Sequence, residues 1–129
     1  SSDLGRGEQG VLLVEPYKSE ILPYWRYKDE ASATESAREI YQLFEFYRQQ
    51  NDFVGMDMAR KFIQMGYTRA RRYANYKGGK KYAKDGCLNP RGNDPVKAAA
   101  AAVFKQWWDK LRQDEDYLQR KKKHQAQWG

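Results

Sequence analysis

Hydrophobic positions recur at three- and four-residue intervals in three long stretches of the chain, a pattern that predicts a mainly helical domain. The apolar positions of the first stretch are Ala33, Ala37, Ile40, Phe44 and Tyr47. Ser32 and Glu35 form a capping box at its start, in which a hydroxyl and a carboxylate satisfy the free amide groups of a first helical turn. The first long helix is therefore expected to begin at Ser32 and to end near Asn51.

A second helical stretch follows Asp52 and keeps its phase across Gly66. Its apolar positions are Ala59, Phe62, Ile63, Ala70, Tyr73 and Ala74. Glycine costs about 1 kcal/mol in a helix interior relative to alanine, and Thr68 could cap a new helix, so one long helix and two shorter ones both fit the pattern. Gly78 and Gly79 end the helix in either case.

A third helix follows an exposed loop that spans residues 80–93, which are rich in Gly, Asn and Pro. Asp94 as N-cap and Pro95 at the first helical position predict its start. Its apolar stripe is Val96, Ala100, Val103, Trp107 and Leu111. The second stretch is expected to pack in the core against Ile40, Phe44, Val103 and Trp107.

Two short runs before the helices have the residue types of strands, residues 11–14 and residues 21–27. Pro16 and Pro23 restrict both runs to sheet edges or strand ends, which favours a small β-hairpin or ribbon. The predicted fold class is therefore mainly α (α+β), with three or four helices packed against a small N-terminal β element.

The 129-residue chain fits one domain. Residues 11–118 are interpreted as a single globular domain, residues 1–10 as a flexible lead or tag remnant, and residues 119–129 as a basic, fraying tail. No run approaches the roughly 20 apolar residues that span a bilayer, and the first ten residues lack the apolar centre of a signal peptide. We therefore expect a soluble intracellular protein without a membrane partner, cytoplasmic or nuclear.

Positive charge is concentrated in one part of the chain. Residues 58–84 contain nine Lys or Arg and no Asp or Glu, within a formal net charge of +7. Tyrosines alternate with these cations, and basic side chains attract phosphates while tyrosine rings stack on bases. The pattern predicts a nucleic-acid-binding accessory domain of weak sequence selectivity, for DNA or RNA. The predicted contact residues are Arg60, Tyr67, Arg69, Arg71, Arg72, Asn75, Tyr76, Lys77, Lys80 and Lys81.

Other interpretations of this segment stay open. The tyrosines fit a core with the cations as a solvated face, and the cations also fit a small phosphorylated ligand or an acidic protein partner. An enzyme acting on a phosphorylated small molecule or nucleic acid is the alternative from another class. Its candidate residues are Glu15, Lys18, Glu20 and Asp57. Their convergence beside Arg69 or Arg72 in one concave pocket would favour it, although their spacing favours a surface loop.

Metal and cofactor sites are not predicted. The chain has one cysteine, Cys87, and one histidine, His124, too few soft ligands for zinc or iron. The sequence also lacks the glycine-rich and nucleophile-elbow motifs of nucleotide-binding proteins and hydrolases.

Several motifs together resemble one known family. These are VEPYKSEILP at residues 14–23, DFVGMDMARKF at 52–62, QMGYTRARRYAN at 64–75, KGG at 77–79 and DPVKA at 94–98. In these motifs the chain is similar to the domain of unknown function 4385 over residues 11–117. That family has no assigned activity, so the resemblance implies no catalytic residue, cofactor or partner.

Overall fold

The computed structural model of the protein describes residue 10 and residues 14–128. Within them lie five α-helices: α1 (Tyr17–Ile21), α2 (Glu30–Gln49), α3 (Phe53–Asn75), α4 (Pro95–Arg112) and α5 (Glu115–Trp128). Single 3₁₀ turns cover Leu22–Tyr24 and Lys77–Gly79. The mainly helical prediction is confirmed, with more helices than the three or four expected.

Helix α2 begins upstream of the predicted capping box. The Asp29 carboxylate accepts a hydrogen bond from the Ser32 amide at 2.8 Å, and the helix starts at Glu30. The predicted start at Ser32 is therefore wrong, because Asp29 already accepts from the Ser32 amide, which in the predicted box would have donated to the Glu35 carboxylate.

Helix α3 is continuous through Gly66. The second helical stretch of the sequence is therefore one long helix and not two shorter ones. Asp52 caps its start by accepting from the Gly55 amide at 3.0 Å. Gly66 is buried, and a Cβ atom at this position would lie 2.6 Å from ring carbons of Phe104 on α4. The glycine therefore permits two helices to approach closely rather than breaking one.

Replacing Gly66 by Ala is expected to destabilise the protein by about 1–2 kcal/mol, because the added methyl group forces the Phe104 ring to move. Helix propensity alone would give the opposite sign. Urea denaturation measures the difference. Gly92→Ala is the control, because a Cβ atom there meets nothing within 4 Å. A Gly66→Ala variant at least as stable as the parent would show that α3 and α4 do not meet at this point.

The core lies between α2, α3 and α4, the three longest helices. Among its fully buried side chains are Ala37, Ile40, Phe44, Ala59, Phe62, Ile63, Ala70, Ala100, Phe104 and Leu111. The predicted core faces are thus confirmed at most positions. Tyr73 and Val96 are exceptions, 36% and 53% exposed. Both lie in the terminal turns of their helices near the loop, where the correct helical phase is not enough to bury a side chain.

The strand predicted at residues 21–27 is wrong. Ile21 ends α1 and is fully buried, and the chain continues into a 3₁₀ turn before it becomes extended at Trp25. The Trp25 ring packs edge-on against Phe62 at 5.6 Å, so the apolar side chains of this run cover the helical core instead of forming a sheet. Residues 11–13 of the partner strand lie outside the described residues, and no hairpin occurs in the described part.

Residues 119–128, predicted to fray, are part of α5. Tyr117 at the start of that helix is buried, and its ring stacks on Phe53 of α3 at 5.7 Å. Among the helices that the structure describes, none has the length and apolar character needed to cross a membrane.

Candidate nucleic-acid interface

Arg60 is a structural residue of the contact between α3 and α5. Its guanidinium bonds to the Asp57 carboxylate at 2.7 Å, to the Gln64 side chain at 2.7 Å and to the Tyr117 hydroxyl at 3.2 Å. The Tyr117 hydroxyl donates in turn to Asp57 at 2.6 Å. Because these partners occupy the guanidinium, Arg60 is not oriented to contact a phosphate.

The ionisation of this cluster follows from its burial and charge. Burial alone would raise the pKa of Asp57, but the charge of Arg60, hydrogen bonds from Tyr117 and Arg60, and the charge of Lys61 hold that pKa below its usual range. Burial and then the bond to Asp57 raise the pKa of Tyr117 to about 12. At neutral pH the cluster therefore holds an ionised carboxylate, a guanidinium and a neutral phenol.

Arg69 attaches α3 to the extended segment after the first 3₁₀ turn. Its guanidinium carbon lies over the Trp25 ring at 5.6 Å, and its Nη1 donates to the Tyr27 hydroxyl at 3.4 Å. The stacked geometry uses the planar face of the guanidinium for packing. This places Arg69 among the residues that hold the N-terminal segment on the helices.

Arg71 and Arg72 hold the loop that follows α3. Arg71 donates to the side-chain oxygens of Asn75 at 3.1 Å and Asn93 at 2.7 Å. Arg72 donates from Nε to the Gly79 carbonyl at 2.7 Å. Both arginines, predicted as phosphate contacts, therefore act on the conformation of the loop.

The far end of the loop, just before α4, is attached to the end of α3. The amides of Gly92 and Asp94 donate to the carbonyls of Asn75 and Ala74, each at 2.8 Å. Gly78 has a φ of 64°, a left-handed conformation that glycine adopts without strain. The backbone after α3 is thereby turned sharply and fixed, although most of its side chains are exposed.

Four lysines on this loop lack acidic partners. Lys77, Lys80 and Lys84 are exposed, and the half-buried Lys81 extends its ammonium over the Tyr82 ring at 5.7 Å. In the described part of the chain no carboxylate forms an ion pair with any of them. Several cations on the helices do form ion pairs with neighbouring Asp or Glu residues: Arg48, Arg60, Lys61, Lys105, Arg112 and Arg120. We call residues 77–84 the lysine loop.

The tyrosines of the basic segment divide into packed and exposed rings. Tyr67 is half-buried with its ring 5.7 Å from that of Trp108, and Tyr76 is only 9% exposed, so neither offers a free face to a base. Tyr82 is 58% exposed and Tyr73 is 36% exposed. Tyr82 could have been recognised from the sequence as an exposed ring, since it follows the two glycines that end the helix.

A small groove of about 320 Å³ adjoins the lysine loop. Its polar lining residues include Tyr73, Asn75, Lys77, Asn93 and Lys97. The Lys97 ammonium, 5.9 Å from the Tyr73 ring centre, donates to the Lys28 carbonyl at 2.8 Å. Sequence reasoning missed Lys97 because it belongs to the first turn of α4 and reaches this groove only through the fold.

The carboxylates of the enzymatic alternative do not converge. Glu15 accepts from the Ser19 amide at 2.8 Å, and Glu20 accepts from the Tyr47 hydroxyl at 2.6 Å. Asp57 belongs to the α3–α5 cluster, about 18 Å along the helix from Arg69. The described cavity that contains Glu20 is lined by neither Arg69 nor Arg72. Nor do the described residues contain a group of three or more potential metal ligands.

Comparison with known proteins relates the whole chain to one family. No curated protein matches it, and no solved structure does. A family model described as a domain of unknown function (DUF4385) matches residues 1–127. On that match, which spans nearly the full length and includes the motifs at the lysine loop, the chain belongs to the DUF4385 family.

Proposed function

We propose that the protein binds nucleic acid through the lysine loop, with little sequence selectivity. The observation that supports this most is that four lysines occur within residues 77–84, on an anchored backbone and without a carboxylate partner among the described residues. Phosphates of a DNA or RNA backbone would supply the missing counter-charges. Lysine ammonium groups act as point charges without base preference, which is why selectivity is expected to be weak.

The anchoring of the loop supports this proposal. Arg72 holds the Gly79 carbonyl and Arg71 holds Asn93, so the lysine backbone is ordered before any ligand arrives. A ligand that binds a preformed backbone pays less conformational entropy than one that must order it. Lysine carries its ammonium on a flexible four-carbon stem, which can adapt to the spacing of successive phosphates.

Tyr82 gives the proposed surface a second type of contact. Its exposed ring stands beside Lys81, and an unpaired base could stack on it while the ammonium meets the adjoining phosphate. Tyr82 thus takes the stacking role that the sequence assigned to Tyr67 or Tyr76, whose rings are packed.

An acidic protein is the second candidate partner. Tyr82 pairs across an isolated antiparallel bridge with Leu88, which is 60% exposed, so apolar surface adjoins the lysines. Exposed apolar residues beside charges are common in protein interfaces. A poly-glutamate peptide that competes with nucleic acid at equal charge concentration would favour this candidate.

Changing Lys77, Lys80, Lys81 and Lys84 together to Gln is expected to remove most of the affinity for DNA and RNA at low salt. If the parent neutralises four phosphates, the logarithm of its affinity should fall against the logarithm of salt with a slope of about −3.6 on duplex and −2.8 on single strands. Fluorescence anisotropy with labelled oligonucleotides at several salt concentrations gives both quantities.

The matched control removes four charges elsewhere, by changing Lys105, Lys110, Lys121 and Lys122 to Gln. If the lysine loop is the site, this control keeps the slope of the parent to within about one unit. Equal weakening of both variants would assign the attraction to net charge alone. Absence of binding by the parent at low salt would refute the proposal.

A further inference from the structure

A second cavity lies at the other end of α3, where α5 passes the start of that helix. It has a volume of about 590 Å³, within the range of about 300–1,000 Å³ that is usual for small-molecule sites. Its lining includes Phe53, Arg120, Lys123, His124, Gln127 and Trp128. About 33 Å of helix separates it from the lysine loop, so the two sites are independent.

Aromatic rings form a continuous row beside this cavity. Phe53 stacks on Tyr117 at 5.7 Å, His124 lies 5.1 Å from Phe53, and Trp128 lies 6.4 Å from His124. Burial decreases along the row, from 2% exposure at Tyr117 to 72% at Trp128. The last ring therefore presents a large apolar face to solvent, backed by rings that hold His124 in place.

Cations adjoin the exposed end of this row. Arg120 is held there by hydrogen bonds to Asp116 at 2.9 Å and to Asn51 at 3.3 Å. Lys123 is exposed and forms no ion pair with a described carboxylate. Asp52 is the one acid among the described lining residues, and its two oxygens accept hydrogen bonds from the Tyr17 hydroxyl at 2.9 and 2.7 Å.

We propose that this cavity binds a nucleoside phosphate. The planar base would stack on Trp128 beside His124, and the phosphate would lie against Lys123 and Arg120. A planar ring joined to an anion is the chemistry that an exposed indole next to two cations recognises. The ligand is either a free nucleotide or the phosphorylated end of a strand, which share these groups.

Isothermal titration calorimetry of the full chain with ATP at low salt tests the site. Trp128→Leu is expected to weaken ATP binding about tenfold through lost stacking, and Lys123→Gln about fivefold through the lost charge contact. Lys122→Gln is the matched control, because Lys122 lines a different groove on α5, and it should bind ATP within about twofold of the parent.

Separate ligands test each half of the site. Adenosine and inorganic triphosphate should each bind more weakly than ATP, since each lacks one of the two contacts. Competition by a short 5′-phosphorylated oligonucleotide would identify a strand end as the ligand, and its absence would identify a free nucleotide. The lysine-loop variant should retain ATP binding, which keeps this inference separate from the proposed function.

Three results would overturn the inference. One is no ATP binding by the parent at millimolar concentration. Another is inorganic triphosphate binding as tightly as ATP, which would show that the base makes no contact. The third is unchanged ATP binding by Trp128→Leu, because the exposed ring would then play no part.

Discussion

Phe62→Ala is expected to lower the free energy of unfolding by about 3–5 kcal/mol. Phe62 is fully buried in the middle of α3 and meets the Trp25 ring edge-on at 5.6 Å. Truncation loses the transfer free energy of the ring and leaves a cavity, because the surrounding helices can collapse only in part. Truncation of Phe62 also removes its contact with Trp25, through which the N-terminal segment covers the core.

Urea denaturation followed by circular dichroism measures this loss without depending on Trp25 fluorescence. Phe46→Ala is the matched control, since Phe46 is 50% exposed on α2. Phe46→Ala should lower the free energy of unfolding by less than about 1 kcal/mol. If Phe62→Ala unfolds within about 0.5 kcal/mol of the parent, Phe62 is not a core residue and the register of α3 is wrong.

The register of α3 could be predicted because burial along a long helix is periodic. Ala59, Phe62, Ile63 and Ala70 follow one face at helical spacing, and all four are fully buried. Gly66 belongs to the same face, but propensity could not show whether it interrupts the helix. The deciding contact is the Phe104 ring, which is 38 positions further along the chain.

The N-terminal segment could not be predicted by the same reasoning. Ile21 and Trp25 have strand-like neighbours, yet they serve as a cover over a helical core, a role that no short-range period marks. The prediction of where α2 starts was wrong for a local reason. Asp29 and Ser32 are both good capping residues, and the choice between them depends on which turn of the helix the fold stabilises.

The candidate interface shows the difference between a charge pattern and its partners. The concentration of cations is visible in the sequence, but several of the partners that these cations contact lie far away along the chain. Arg60 meets Tyr117, and Arg71 meets Asn93. The arginines of residues 58–84 have found such partners, whereas no described polar group bonds to the ammonium groups of the lysines after the helix. This difference moves the proposed surface from the helix face to the loop.

Salt bridges at the corner between α4 and α5 show the same dependence on the fold. Arg48 on α2 donates to Glu45 and Asp114 and pairs with Asp116, whose carboxylate also holds Arg120. These bonds, first that to Asp114, raise the pKa of Arg48. They fix the position of α5 from one side, and the cluster of Asp57, Arg60 and Tyr117 fixes it from the other.

Asp57→Asn is expected to lower the free energy of unfolding by about 2–3 kcal/mol at pH 7. The amide keeps the shape of the carboxylate but leaves the Arg60 guanidinium, whose side chain is 17% exposed, without its counter-charge. Loss of one partner of a fully buried pair costs about 3–5 kcal/mol, and the remaining exposure of this pair reduces that cost. The experiment is urea denaturation of both proteins between pH 3 and 8.

The pH dependence gives the sharper result. Because the pKa of Asp57 is lower in the folded protein than in the unfolded chain, its stabilisation is complete above the unfolded pKa and is lost as the pH falls through the folded one. The difference between the parent and Asp57→Asn should therefore shrink below about pH 5. Asp109→Asn is the control, since that carboxylate pairs with Lys105 and Arg112 on the surface of α4, and its free energy of unfolding should stay within about 1 kcal/mol of the parent at each pH. A constant difference between the parent and Asp57→Asn down to pH 3 would show that shape rather than charge holds α5 against α3.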